Sequence, residues 1–125
     1  MQKILALALL AAMPAAAQTV PVTIYYAYGQ PGSNRWLVDG AMHAVMERSD
    51  FLMAAKRDPN LLEVTVEGRI DRDKGENSKG FTFTLGFYRA GARLGEAQEY
   101  CRSDKATDCA DQLASDITSA SAINP

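Results

Sequence analysis

Hydrophobic and polar positions alternate most regularly in the middle of the chain. Leu62, Val64, Val66 and Ile70 alternate with Glu63, Thr65, Glu67 and Arg69, the two-residue period of a strand with one apolar and one wet face. Phe81, Phe83, Leu85 and Phe87 repeat the pattern, with Thr82, Thr84 and Tyr88 on the other side. Residues 94–101 read as a third, more polar strand. A charged, glycine-containing turn over residues 71–80 and the reversal at Ala90-Gly91-Ala92-Arg93 separate these runs, so an antiparallel meander is expected. An earlier strand places Val22, Ile24, Tyr26 and Tyr28 on one face, with Thr23, Tyr25 and Ala27 opposite. Gly29-Gln30-Pro31-Gly32 ends it with strong turn chemistry.

Two segments change to helical spacing. After a cap at Ser33 or Asn34, Leu37, Ala41, Ala44, Val45 and Arg48 recur on one side, and Val38 and Met42 widen the apolar stripe. Gly40 weakens this helix by about 1 kcal/mol relative to alanine. Together with Ala41 and Ala44 it is expected to allow close approach to a sheet. Ser49-Asp50 should end the helix. Residues 51–55 fit either a brief strand or a final helical turn, and a polar turn around Asp58-Pro59 follows. The last helix is expected to start at Ser103 or Asp104, with Cys109, Ala110, Leu113, Ile117 and Ala120 inward. The order is β-α-(β)-β-β-β-α: an α+β fold with an antiparallel sheet of four or five strands and both helices on one face.

The N-terminus follows a different grammar. Lys3 precedes an apolar run over residues 4–13, Pro14 breaks it, and Ala15-Ala16-Ala17 supplies small side chains. This is the layout of a secretory signal peptide. Cleavage is expected between Ala17 and Gln18, leaving residues 18–125 as a single domain. The run is shorter than the roughly 20 apolar residues of a membrane span, so no stable membrane insertion is expected after cleavage. The whole chain has 13 Lys+Arg against 15 Asp+Glu, a net charge of −2. Removing the signal's single lysine makes it −3. That balance shows no basic footprint for nucleic acid. Cys101 and Cys109 are the two cysteines. In an exported chain they are expected to pair, joining the end of the last strand to the first turns of the last helix.

Candidate chemistry is sparse. His43 is the sole histidine, placed mid-helix outside the apolar stripe. No nucleophile elbow, phosphate loop or dinucleotide fingerprint is present. Asp71 and Asp73 have the spacing of calcium ligands, but Gly75 comes one residue too early for an EF-hand loop, and Arg72 and Lys74 oppose the charge. Glu63, Glu67 and Glu96 fall on wet strand faces. Aromatic anchors are enriched at binding hot spots, which makes Trp36 and Tyr25 the candidate contact residues.

The strand Val22-Thr23-Ile24-Tyr25-Tyr26-Ala27-Tyr28, the helix ending near Ser49-Asp50-Phe51, the strand Val64-Thr65-Val66-Glu67-Gly68-Arg69-Ile70, and Phe81-Thr82-Phe83-Thr84-Leu85 with a short alanine-rich helix resemble the N-terminal domain of TolB. They also resemble the related periplasmic domains of LpoB-type penicillin-binding-protein activators. The resemblance covers nearly all of residues 20–121 and implies the α+β fold and a non-enzymatic role. TolB's propeller, its interaction peptide and the LpoB tether have no counterpart in these 125 residues, so no partner or binding residue carries over. The expected protein is an exported, periplasmic or secreted accessory module without catalytic residues, cofactor or metal, which contacts an envelope protein. The alternative is a small secreted inhibitor or small-ligand-binding protein. The sequence leaves the oligomeric state open.

Overall fold

The computed structural model describes residues 20–27, 32 and 34–123. The expected signal peptide, its cleavage point at Ala17 and Gln18, Tyr28 and Ser33 lie outside the described residues. The elements run β1 (Val22–Ala27), α1 (Arg35–Met46), β2 (Phe51–Met53), β3 (Leu62–Arg72), β4 (Gly80–Arg89), β5 (Ala92–Arg102) and α2 (Ala106–Ser121). They form one five-stranded sheet in the order β2-β1-β3-β4-β5.

The α+β class, the strand count and the element order match the sequence reading. The sheet is mixed, however, rather than antiparallel throughout. β1 is parallel to both neighbours, with Val22 beside Phe51 and Ile24 beside Leu62. A strand followed by a helix that crosses over to the adjacent strand must re-enter in the same direction, and α1 is that crossover. The ambiguous segment at residue 51 is therefore a strand, the outermost on this side. The meander is antiparallel as expected, with bulges near residues 68–70 of β3 and at Gly95 of β5.

Both helices cover one face and pack on each other. Ile24, Leu62, Val64, Phe83 and Leu85 from the sheet meet Val38, Met42, Val45, Leu113 and Ile117 from the helices, all essentially inaccessible to water. Fully burying each such side chain contributes about 1.5–3 kcal/mol. β1 is fastened to α1 by a polar cluster at the rim. Tyr26 Oη donates to Asp39 Oδ1 at 2.8 Å, and Arg35 Nε donates to the same oxygen at 3.1 Å.

Helix ends depart from the expected caps. Asn34 is left-handed (φ 70°) and makes no side-chain cap. Its Nδ2 instead donates to the carbonyl of Ile70 at 3.1 Å, tying the start of α1 to β3. Neither Ser103 nor Asp104 caps α2, which begins from Lys105. Asp104 is held by the guanidinium of Arg102 at 3.0 and 2.9 Å. α1 ends at Met46, before Arg48, and Arg48 leaves the apolar stripe to bind Asp50 and Asp111. Gly40 is exposed and a Cβ there would meet nothing within 4 Å, so it is not a close-approach position. Ala27, placed on the wet face by alternation, is buried.

Candidate functional site

Four surfaces offer side chains or backbone to a partner: the uncovered sheet face, a cleft at its end, an apolar groove between the helices, and the two edges of the sheet.

The uncovered face is polar and internally paired. Glu67 of β3 accepts a hydrogen bond from Tyr88 Oη and another from Arg93 Nη2 at 2.6 Å; the same nitrogen reaches Glu96 at 2.9 Å. The Tyr88 hydroxyl first, and then the Arg93 guanidinium, hold the Glu67 carboxyl below the usual carboxylate range. Gly86 makes the arrangement possible. A Cβ there would stand 2.4 Å from the Glu67 carboxyl carbon. Tyr100 Oη donates to Asp73 at 2.7 Å, and that carboxylate raises the phenol's pKa. Glu63 accepts from Arg57 Nε at 2.8 Å. The three glutamates thus lie on the exposed face as the alternation implies, and Glu67 and Glu96 share a cation. Asp71 and Asp73, the spaced acids of the hairpin, have separate partners in Arg69 and Tyr100.

Beside this face lies a cleft of about 350 Å³ lined by Arg57, Pro59, Glu63, Tyr88, Ala90 and Gly91. Its floor is the β4–β5 turn, in which Ala90 (φ 55°) and Gly91 (φ 80°) are both left-handed. Two-residue hairpins prefer this geometry because its twist matches the strands. The Ala90 amide donates to the Pro59 carbonyl at 2.9 Å, pinning the turn to the loop after β2.

Tyr25 and Trp36, the two candidate contact residues, are not brought together. Tyr25 is half-buried on the uncovered face under the Arg57 guanidinium, 5.4 Å from its ring centroid. Trp36 sits on the helix layer and is 64% exposed. It rims an apolar groove of about 220 Å³ with Leu37, Gly40, Phe81, Ala106 and Cys109. The Cys101–Cys109 disulfide is formed, joining β5 to the first turns of α2. His43 is exposed on α1, 3.8 Å from Glu47.

The two sheet edges differ, and this is what sequence reasoning missed. β5 is long but guarded. The Gly95 bulge interrupts it, Glu96 and Gln98 flank it, and the outward carbonyl of Tyr100 accepts from Gln112 Nε2 of α2 at 3.2 Å. Bulges, charges and covering side chains are the usual protections of an edge. β2 lacks these. The Asp50 carbonyl and the Ala54 amide bond β1, so by alternation Met53 turns its N–H and C=O outward. Leu52 and Met53 are 54% and 42% exposed, and Val20, just before β1, is 80% exposed. The signal in the sequence was the apolar run Phe51-Leu52-Met53 itself, too short for periodicity to show which residues face water.

Among the described residues no helix is long and apolar enough to cross a membrane, and no cluster of side chains suits a metal ion. No protein-family model matches the chain, and no curated protein is significantly similar to it. Among solved structures it is similar to TolB from Acinetobacter baumannii, with a TM-score of 0.48 and 11% identity over 82% of this chain. The chain spans only 28% of that TolB's length. It is also similar to a minor lipoprotein from Acinetobacter baumannii, with a TM-score of 0.41 and 12% identity over 78% of this chain and 92% of that one. A third similarity is to a PelC variant, solved as a dodecamer, from Paraburkholderia phytofirmans. Here the TM-score is 0.45 and the identity 12%, over 85% of this chain and 90% of that one.

Proposed function

We infer that the protein is an exported, non-catalytic accessory module of the bacterial envelope that binds another protein by adding a strand to the β2 edge of its sheet. The observation carrying this reading is the asymmetry of the edges: β5 is guarded, whereas β2 turns the backbone groups of Met53 outward beside exposed Leu52 and Met53. Main-chain pairing supplies affinity in strand addition, and alternate side chains supply selectivity. The signal-like first seventeen residues support an envelope location. The ion pairs of the uncovered face support a binding rather than a catalytic role, since each glutamate there is spent on an arginine or a tyrosine.

The test is photo-crosslinking in intact cells, with the reactive residue placed at Leu52, at Met53, or at Gln98 on β5. Adducts with one envelope protein from positions 52 and 53, and none from 98, are expected. Adducts from 98 alone would overturn the assignment of the edge, and a partner confined to the cytoplasm would overturn the location. The groove beside Trp36 favours a second reading, binding of a small apolar ligand. In that case Trp36 fluorescence would change on titration with such a ligand.

A further inference from the structure

Glu99 stands apart from every other acid in the chain. It points from β5 to the helix-covered face, opposite Phe83 of β4 and between Ala97 and Cys101 on its own strand, and it is only 3% exposed. Oε1 accepts from Gln112 Nε2 at 2.6 Å. The second hydrogen of that amide goes to the Tyr100 carbonyl at 3.2 Å, so Gln112 has no donor left. Oε2 is buried and has no hydrogen-bond donor among the described residues. The group beside it is Asp116 of α2, one turn beyond Gln112. The nearest strand cations are engaged elsewhere: Arg102 of β5 itself on Asp104, Arg89 of β4 on the Ser121 and Ile123 carbonyls, and Arg69 of β3 on Asp71. A buried carboxylate with an unpartnered oxygen facing a second carboxylate is strongly disfavoured, whereas a carboxylic acid donating to that carboxylate satisfies both.

We propose that Glu99 and Asp116 hold one proton between them, forming a latch that fastens α2 to β5 and tightens in acid. With the proton in place, Glu99 Oε2 donates to Asp116 while Oε1 keeps Gln112 on the outer carbonyl of Tyr100. The latch therefore also maintains the guard on the β5 edge. When the proton leaves, two negative charges face each other across the helix–strand interface, and the turn carrying Gln112 and Asp116 is pushed outward.

Burial, and then the contact with Asp116, raise the Glu99 pKa from 4.5 to about 8. The sign follows from linkage. An open α2 exposes Glu99 to water, where it loses its proton near the ordinary value, whereas the closed form keeps the proton up to about 8. Opening is least favourable below the ordinary value. It becomes about tenfold more favourable per pH unit between the two, and levels off above the higher.

The experiment combines a carbon-13 NMR titration of the Glu99 side-chain carboxyl in the wild-type protein with amide hydrogen exchange in α2, corrected for intrinsic rates. The carboxyl should titrate near 8. Opening of the segment around Gln112 and Asp116 should rise about 100-fold from pH 5 to pH 7. In Glu99→Gln, whose amide donates to Asp116 at every pH, that rise should vanish. In Asp116→Asn, which donates to Glu99 and stabilises its charged form, the rise should shrink. Titration of the wild-type Glu99 carboxyl near 4.5 would overturn the proposal, and this measurement needs no variant to fold. An undiminished pH dependence of opening in Glu99→Gln would overturn it as well.

Discussion

Reducing the disulfide should lower stability by an amount that the loop length sets. Cys101 and Cys109 are eight residues apart in sequence, so the bridge closes a loop of nine residues. In the chain-entropy treatment, such a loop removes about 8.6 cal/mol/K from the unfolded ensemble, worth about 2.6 kcal/mol at 25 °C. A domain of this size gains about 0.2 kcal/mol/K of entropy at its melting temperature, so the loss corresponds to a fall of about 12 °C. Reduction leaves both thiols in place. Both cysteines are already buried, at 3% and 4% exposure, so little packing changes. α2 should stay docked, because Leu113, Ile117 and Ala120 keep their places in the core. Thermal melts by circular dichroism with and without reductant, and of the Cys101→Ala/Cys109→Ala double variant, measure the effect. The double variant should fall further, because the sulfur atoms themselves are lost from a packed site. A fall of less than about 3 °C on complete reduction, verified by thiol counting, would refute the loop-entropy reasoning.

Gly86→Ala should cost about 1 kcal/mol by displacing the Glu67 carboxylate, and a double-mutant cycle should show the cost disappearing in a Glu67→Ala background. Ala90→Gly should stabilise by about 0.5–1 kcal/mol in chemical denaturation, since it relieves a left-handed alanine at the hairpin turn. Glu67 has a depressed pKa, so its stabilisation is present above the ordinary carboxylate value and is lost as pH falls through the lower, folded value. Glu67→Gln should flatten this acid limb of the stability curve. Trp36→Ala should change stability by less than about 1 kcal/mol, and the emission of the native tryptophan should already be that of a solvated indole.

The sequence carried most of the layering and less of the connectivity. Alternation located β3, β4 and β5 because each has a dry and a wet face, and helical spacing located both helices. It could not show that β1 lies between β2 and β3. Strand direction depends on the crossover through α1, and no residue type in Val22–Ala27 encodes it. The caps failed for a different reason. Asn34, Ser103 and Asp104 have the right chemistry for helix starts, but other partners claim two of them: the distant Ile70 carbonyl for Asn34 and the neighbouring Arg102 guanidinium for Asp104. Glu99 was legible in principle. It shares the two-residue period of Ala97 and Cys101, which places it inward, yet the polarity of residues 94–101 hid that face. The openness of β2 was not legible, because a three-residue edge has no pattern of its own.

The central position of β1 bears on the order in which the chain can assemble. β3, β4 and β5 pair with neighbours along the sequence and can zip up by themselves. β1, the first of these strands in the chain, must wait for residues 51–53 before one of its sides is paired, and for residues 62–65 before the other is. Closing those distant parallel contacts costs loop entropy before it returns any stabilisation. A polypeptide threaded N-terminus first through a narrow pore would therefore keep its leading strand unpaired until residues 51–53 had emerged, and open on its β3 side until residues 62–65 had followed.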